Sequence, residues 1–183
     1  DAGVKALLLA YDSAGGRAQA SELIWHAVAE LKAKKPVIVS MSDVAARGGY
    51  YIASGSTKIF ALDDTLTGSI GVVGGKISPS GALAKLGVNT FPMGRGKHAT
   101  SMAAMRPWND DEKATIQNTM EAVYKVFVGR VADGRKKTAD QVQMLAQGRG
   151  WTGSEPLKNG TGDDVAGTGA GRARGARCGG GWL

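Results

Sequence analysis

The chain has 183 residues, of which 43% are hydrophobic and 21% charged, so it is long enough to bury one core and ordinary in composition for a globular domain. Its net charge of +7 comes from scattered lysines and arginines rather than a basic helix, which gives no indication of a nucleic-acid partner. The single Cys178 excludes an internal disulfide, and no apolar run approaches the roughly 20 residues of a membrane span.

The first part of the chain predicts a strand–helix–strand unit. A near-continuous apolar run over residues 4–10 is typical of a buried strand in a parallel sheet. Apolar residues at helical spacing follow from Ser21, and this helix is expected to end before Pro36. A second apolar, β-branched run over residues 37–41 completes the unit. Its two strands must be parallel with a right-handed crossover, which predicts an α/β fold.

The stretch after the second strand has the pattern of a tight glycine turn followed by a helix start. Arg47 precedes Gly48 and Gly49, and residues 50–53 continue without a helix breaker. Glycines let a backbone approach a substrate closely, and the N–H groups at a helix start favour a developing anion. The pattern alone still favours an ordinary strand-to-helix connection, because short motifs have low specificity.

The middle of the chain predicts shorter elements and a long loop. Strands are expected at residues 58–62 and 88–91, with a short helix at 80–86 between them. Residues 93–107 have no strong period and are interpreted as a loop or a flexible active-site flap. No zinc, CxxC or phosphate-binding motif occurs, so the sequence indicates neither a metal nor another cofactor.

A capped helix and an atypical tail complete the chain. Asn109 with Glu112 has the spacing of a capping box and starts a helix that is expected to end at Gly134. Residues 161–183 are rich in glycine, alanine and arginine, have no hydrophobic period, and are predicted to be disordered. The predicted folded domain therefore covers residues 1–160.

Five segments resemble, in the same order along the chain, segments of the signal peptide peptidase A family, which are serine-lysine peptidases with a ClpP/crotonase-like fold. They are the 36–54 stretch, DSAGG at 12–16, LTGSIG at 66–71, GRGK at 94–97 and QGRGWTG at 147–153. Several segments in the right order are far more specific than one. The resemblance implies an α/β fold of the ClpP/crotonase type, with repeated ββα units and a mostly parallel sheet.

The resemblance also implies site residues, with one departure. Lys97 falls where the family has its general base, a lysine whose pKa burial lowers toward the working pH. Gly16 and Gly48 match the glycines whose N–H groups hold the oxyanion. Arg47 stands at the family's nucleophilic serine, and a guanidinium cannot attack a carbonyl, so the chain as written is expected to be inactive. Ser69 is another hydroxyl near the expected site, with a supporting role in the family.

The residue types of a second catalytic set, a serine–histidine–aspartate triad, are present as Ser13, His98 and Asp12. Neighbouring residues in an extended chain point opposite ways, so Asp12 and Ser13 are not expected to act together. The aromatic residues Trp25 and Trp151 are expected in the core or at a subunit interface.

The function that the resemblance implies is a serine endopeptidase that degrades remnant signal peptides and other short apolar peptides by acyl transfer with a serine/lysine dyad. Homo-oligomers are implied in the same way, as is a membrane anchor absent from this chain that holds the domain in a bacterial cell envelope, outside the cytoplasm. Because of Arg47, the alternative is a non-catalytic subunit or peptide-binding module of the same fold. An acyl-coenzyme A enzyme of the crotonase type is disfavoured, because the matching segments are peptidase-like.

Overall fold

A computed structural model describes residues 3–152 and 154–165 of the chain. The chain divides into two compact units, the first formed by residues 1–71 and 124–183 and the second by residues 72–123. Among the described residues, no helix is both long and apolar enough to cross a membrane.

The first unit is built on a six-stranded sheet in which every strand pair except one is parallel. The strands are β1 (Leu7–Ser13), β2 (Val37–Ala46), β3 (Lys58–Ala61), β4 (Leu66–Gly68), β5 (Gly150–Thr152) and β6 (Asp164–Val165). The exception is the short antiparallel pair of β4 and β5. The predicted α/β fold with a mostly parallel sheet is confirmed.

The described residues also form six helices, which connect the strands or follow them. They are α1 (Ala18–Lys32), α2 (Gly48–Ser54), α3 (Ser80–Lys85), α4 (Asp110–Arg135), α5 (Ala139–Leu145) and α6 (Glu155–Asn159). The predicted strand–helix–strand unit is therefore formed by β1, α1 and β2, whose strands pair in parallel.

The strand β2 is the centre of the sheet. Its residues 38–40 pair with β1 on one edge and with β3 on the other, and its residues 44–46 pair with β4. Val37, Ile38 and Val39 are at most 1% exposed, which explains why this part of the strand is continuously apolar rather than alternating. The strand is longer than predicted because its pairing with β4 keeps it extended up to the glycine turn.

The predicted strand at residues 88–91 and the predicted end of α4 are wrong. Residues 88–91 form no strand, and Phe91 is 83% exposed, because no strand of the described chain pairs with this segment. The helix α4 continues through Gly134 to Arg135. A Cβ built on Gly134 would lie 1.9 Å from the carbonyl oxygen of Ser54, so this glycine permits close packing of α4 on α2 instead of ending a helix.

The folded chain extends past the predicted boundary at residue 160. Thr161 is fully buried, and its carbonyl accepts a hydrogen bond of 2.9 Å from the hydroxyl of Tyr50 in α2. The strand β6 then pairs in parallel with β3. The remainder of the tail that was predicted to be disordered, residues 166–183, lies outside the described residues.

Polar contacts within the second unit hold the second half of the predicted 93–107 loop. The ammonium group of Lys76 donates to the carbonyl of Ser101 at 2.6 Å, and the guanidinium of Arg106 binds the carboxylate of Glu112. The Asn109–Glu112 capping box is confirmed, with the Glu112 N–H donating to the Asn109 side chain at 2.8 Å. Hydrogen bonding from Arg106 lowers the pKa of the buried Glu112 to about 2, so this acid is charged at neutral pH.

Candidate active site

The turn between β2 and α2 places residue 47 in a strained backbone conformation. Arg47 has φ 50° and ψ −113°, a combination that residues with a side chain rarely adopt. Its N–H donates to the Gly68 carbonyl at 2.9 Å, and its own carbonyl accepts from the Tyr51 N–H at 2.8 Å. Strain of this kind persists only where the surroundings enforce it, and it occurs preferentially at functional sites, including the nucleophile turns of strand–turn–helix hydrolases.

The predicted oxyanion glycines lie directly against this turn. A Cβ built on Gly48 would be 3.1 Å from the backbone nitrogen of Gly16, so the two glycines approach more closely than side chains would allow. Gly15, at φ 125°, comes equally close, because its Cβ would lie 2.9 Å from Cβ of Arg47. Within the described chain, the N–H groups of Gly16 and Gly48 donate no hydrogen bond. The first unit therefore brings two free N–H donors together beside residue 47.

Ser21 supports this turn in a way that the sequence did not indicate. Its hydroxyl would lie 2.5 Å from a Cβ on Gly48, and it donates to the carbonyl of Arg17 at 3.2 Å. The side chain is only 5% exposed. We predicted Ser21 as the start of a helix, but α1 begins at Ala18, so the serine lies one turn inside it and packs against the glycine turn. A single serine in an amphipathic helix carries no sequence signal for this role.

The LTGSIG segment and residues 147–152 of the QGRGWTG segment lie beside the same turn; only Ser69 was expected there. Trp151 of β5 is 4% exposed and packs on Gly68, whose Cβ would be 2.1 Å from the indole ring. Ser69 has φ 48° and donates its N–H to the Arg149 carbonyl at 2.9 Å. Because Gly68 in turn binds the N–H of Arg47, these two segments fix the backbone of the strained residue.

Lys97, the predicted general base, belongs to the second unit and is not buried. Its side chain is 76% exposed and forms an ion pair of 2.8 Å with Asp111 at the start of α4. The hydrogen bond and charge of Asp111 raise the pKa of Lys97 above its usual value, which keeps the amine protonated. The expected burial and lowered pKa are therefore contradicted in this structure, and the role of Lys97 as a base stays a prediction.

The alternative set of Ser13, His98 and Asp12 has other partners. The carboxylate of Asp12 accepts the Val44 N–H at 2.9 Å, and the hydroxyl of Ser13 accepts the Gly15 N–H at 3.3 Å. His98 lies 3.8 Å from the Asp111 carboxylate. These contacts agree with the expectation that Asp12 and Ser13 do not act together.

A mostly parallel sheet whose central strand ends in a strained glycine turn is the arrangement expected for the ClpP/crotonase-like fold. The model of peptidase family S49 matches residues 29–170, and the chain belongs to that family. The resemblance found in the sequence is thereby confirmed.

Curated relatives agree with this assignment. The chain is 40% identical over 164 residues to the chloroplastic serine protease SPPA of Arabidopsis thaliana and 37% identical over 166 residues to a putative signal peptide peptidase SppA of Enterococcus faecium. These matches cover 89% and 90% of this chain but only 24% and 48% of the two relatives, so the chain spans a part of their length.

The similarity to solved structures shows the fold. The membrane-bound stomatin-specific protease 1510-N superposes with a TM-score of 0.59 at 21% identity, over 94% of this chain and 70% of that one. ClpP1 from Listeria monocytogenes gives a TM-score of 0.58 at 14% identity, over 91% of this chain and 76% of that one. The ClpP-like fold predicted from the sequence is confirmed.

Proposed function

We propose that this chain is the peptidase domain of a signal peptide peptidase of the serine type, built to cleave remnant signal peptides and other short apolar peptides by acyl transfer, and that Arg47 leaves it inactive as written. The observation that carries this proposal is the strained backbone of residue 47 next to the free N–H groups of Gly16 and Gly48. This is the arrangement that a nucleophile and its oxyanion hole require.

In the proposed reaction, a serine at position 47 attacks the peptide carbonyl while the neutral amine of Lys97 accepts the hydroxyl proton. The N–H groups of Gly16 and Gly48 donate to the oxyanion that forms. The Lys97 ammonium then protonates the leaving amine, and water hydrolyses the ester at residue 47. This requires Lys97 to leave Asp111, because the ion pair keeps it charged.

A non-catalytic subunit or peptide-binding module is the second candidate function. It is favoured by Arg47 itself, since a guanidinium is neither a nucleophile nor a base at any working pH. The same backbone donors would then bind a peptide without cleaving it.

Fluorophosphonate labelling tests the first candidate. The hydroxyl of the Arg47→Ser variant should displace fluoride from the probe, so that the phosphonyl group is found on the peptide that contains residue 47, whereas the unaltered chain should not react. A labelled site at Ser69 in either protein would show that the nucleophile position has been assigned wrongly. An unlabelled Arg47→Ser variant that is folded and assembled would favour the binding module.

The proposed role of Lys97 predicts a particular pH dependence. In the Arg47→Ser background, kcat/KM should rise with pH as Lys97 loses its proton, because only the neutral amine is a base. Asp111 raises the pKa of Lys97, so adding Asp111→Asn should lower that pKa and move the alkaline rise to lower pH. The control is Asp110→Asn, which removes the neighbouring exposed carboxylate. Coinciding pH–rate profiles for the Asp111→Asn and Asp110→Asn variants would argue against Lys97 as the base.

We further propose that the domain forms homo-oligomers and that a membrane anchor outside this chain holds it in the cell envelope. Large apolar side chains of the second unit support self-association, because they are 78% to 94% exposed and single soluble domains rarely leave so many uncovered. They are Val73, Ile77, Leu86, Phe91 and Met93. Analytical ultracentrifugation at high micromolar concentration should give an assembly, and a clean monomer would contradict this proposal.

A further inference from the structure

We propose that the edge of the sheet at which the parallel strands begin docks on a membrane surface that contains anionic lipids. Lysines from distant parts of the chain lie at this edge, and all of them belong to the first unit. They are Lys32, Lys34, Lys35, Lys58, Lys136 and Lys137, and together they are called the basic edge. The glycine turn at Arg47 follows the opposite end of β2, so the basic edge is separate from the candidate active site.

The parallel arrangement of the strands brings the first of these lysines together. A helix that connects two parallel strands runs back along the sheet, so it ends where the next strand begins. Helix α1 ends at Lys32, and Lys34 follows in the turn before β2. The Val37 carbonyl at the start of β2 accepts the N–H of Thr57 at 2.7 Å, and Thr57 directly precedes Lys58. The lysines at the end of α1 and at the start of β3 are therefore close in space.

The end of α4 lies at the same edge. The guanidinium of Arg135, the last residue of α4, binds the carboxylate of Asp163 at 2.7 Å. The same carboxylate oxygen accepts the N–H of Ile59 at 2.8 Å, and Ile59 directly follows Lys58. Lys136 comes immediately after Arg135, so the end of α4 adds its lysines to those at the start of β3.

The charges of these groups act on one another. Burial and the charges of Arg135 and Lys136 lower the pKa of Lys32 below its usual value. Charge interactions are appreciable only between neighbouring groups, because water and salt screen distant ones. The ends of α1 and α4 therefore present their cations side by side, although more than a hundred residues separate them in the sequence.

The described chain does not neutralise the basic edge. Leaving Lys35 aside, none of its lysines forms an ion pair with a carboxylate of the described residues. Asp163 is occupied by Arg135, and Asp133, one turn before the end of α4, pairs with neither Lys136 nor Lys137. Clusters of this kind attract anionic lipid surfaces, with a gain of about fivefold in affinity for each lysine near the surface.

The chemistry of the basic edge favours a bilayer over a nucleic acid. Its residues are lysines, which act as point charges, whereas nucleic-acid readout relies more on arginine forks and stacked rings. Arg135 beside them is occupied by Asp163. The chain also enters the sheet here, since the Leu7 N–H at the start of β1 donates to the Pro36 carbonyl at 2.9 Å. A membrane anchor preceding the chain would bring this edge to the bilayer, and this last argument alone rests on the proposed function.

Vesicle co-sedimentation tests the inference with the unaltered chain. Vesicles of phosphatidylcholine alone are compared with vesicles that contain about 30% phosphatidylglycerol, at about 0.05 M and about 0.5 M sodium chloride. At the lower salt concentration, the chain should bind the anionic vesicles at least about tenfold more tightly than the neutral ones. Most of this difference should disappear at the higher salt concentration, because screening shortens the reach of the lysine charges. Inorganic phosphate should release no more protein than sodium chloride of equal ionic strength.

Variants identify the surface responsible. The double variant Lys58→Gln/Lys136→Gln should bind the anionic vesicles at least about tenfold more weakly, since two lysines at the surface account for roughly 25-fold. The matched control is Arg17→Gln/Lys125→Gln, which removes the same charge from exposed positions just before α1 and about three turns before the end of α4. It should weaken binding by less than about threefold. Unchanged circular dichroism and Tm establish that both variants are folded.

Equal binding to neutral and anionic vesicles overturns the inference, and so do equal losses in the two double variants, which would mean that the net charge of the chain binds rather than the basic edge. Specific release by inorganic phosphate would indicate an isolated anion site instead. Tighter binding to a duplex oligonucleotide than to anionic vesicles, weakened by Lys58→Gln/Lys136→Gln, would assign the basic edge to nucleic acid.

These results are independent of catalysis. An active Arg47→Ser variant that ignores anionic vesicles would leave the proposed function intact and reject only this inference. Vesicle binding through the basic edge, together with an inert Arg47→Ser variant, would reject the proposed peptidase activity and support this inference.

Discussion

The Arg47→Ser variant is expected to hydrolyse a fluorogenic apolar peptide about 10⁴ to 10⁶ times faster than the unaltered chain, the range by which loss of a nucleophile lowers turnover in serine peptidases. The physical reason is that the backbone of residue 47 already has the conformation of a nucleophile turn, and the N–H groups of Gly16 and Gly48 are free to stabilise the oxyanion. Initial rates with purified, assembled protein measure the gain.

Two companion variants separate the possible causes of such a gain. Arg47→Ala removes the cation without supplying a hydroxyl and should stay at background, which shows that the gain comes from the nucleophile rather than from opening the site. Adding Lys97→Ala to Arg47→Ser should abolish the gain if Lys97 is the base. Efficient cleavage by the unaltered chain, with the acyl group on Ser69, would show that residue 47 is not the nucleophile position.

The second large effect concerns stability. Gly134→Ala is expected to destabilise the protein by about 2 to 4 kcal/mol, which corresponds to a fall in Tm of roughly 5–15 °C for a domain of this size. An alanine in the middle of a helix normally stabilises it relative to glycine, by about 1 kcal/mol. Here the added Cβ would lie 1.9 Å from the backbone carbonyl oxygen of Ser54, which is fully buried and cannot move without displacing α2.

The helix provides its own control for this prediction. Gly129 lies five residues earlier in α4, and a Cβ built on it would meet nothing within 4 Å. Gly129→Ala should therefore leave the free energy of unfolding unchanged or raise it by up to about 1 kcal/mol. Thermal and urea unfolding of the two variants measure the difference. Equal effects at the two positions would mean that α4 does not pack on the end of α2 as closely as the structure indicates.

The sequence predicted the parts of the fold that local patterns determine. The apolar, β-branched run at the start of β2 predicted a buried strand, and the capping box of Asn109 and Glu112 predicted the start of α4. The predicted strand at residues 88–91 failed for a different reason. A short apolar segment becomes a strand only if another strand offers hydrogen bonds, and no single stretch of sequence contains that information.

The same distinction between local signals and tertiary contacts applies to the candidate site. The glycine turn at residues 47–49 was visible in the sequence because glycine and the following helix are local signals. The contact of Gly16 with Gly48, the packing of Ser21 against them and the exposure of Lys97 depend on residues far apart in the chain. Tertiary contacts of this kind also decide the pKa of Lys97, which is raised by Asp111 rather than lowered by burial.

The hydrogen bond between the Arg47 N–H and the Gly68 carbonyl makes the backbone geometry at position 47 independent of the side chain there. It is made by backbone atoms, and Gly68 is held by the indole of Trp151, so neither contact depends on which side chain residue 47 carries. A strained residue of this type costs about 1 to 3 kcal/mol of stability, and only glycine would relieve most of it. The strained backbone at position 47 therefore lowers the stability of the fold, although the side chain there is an arginine. Because both contacts are independent of the side chain, a substitution at position 47 should leave this backbone geometry in place.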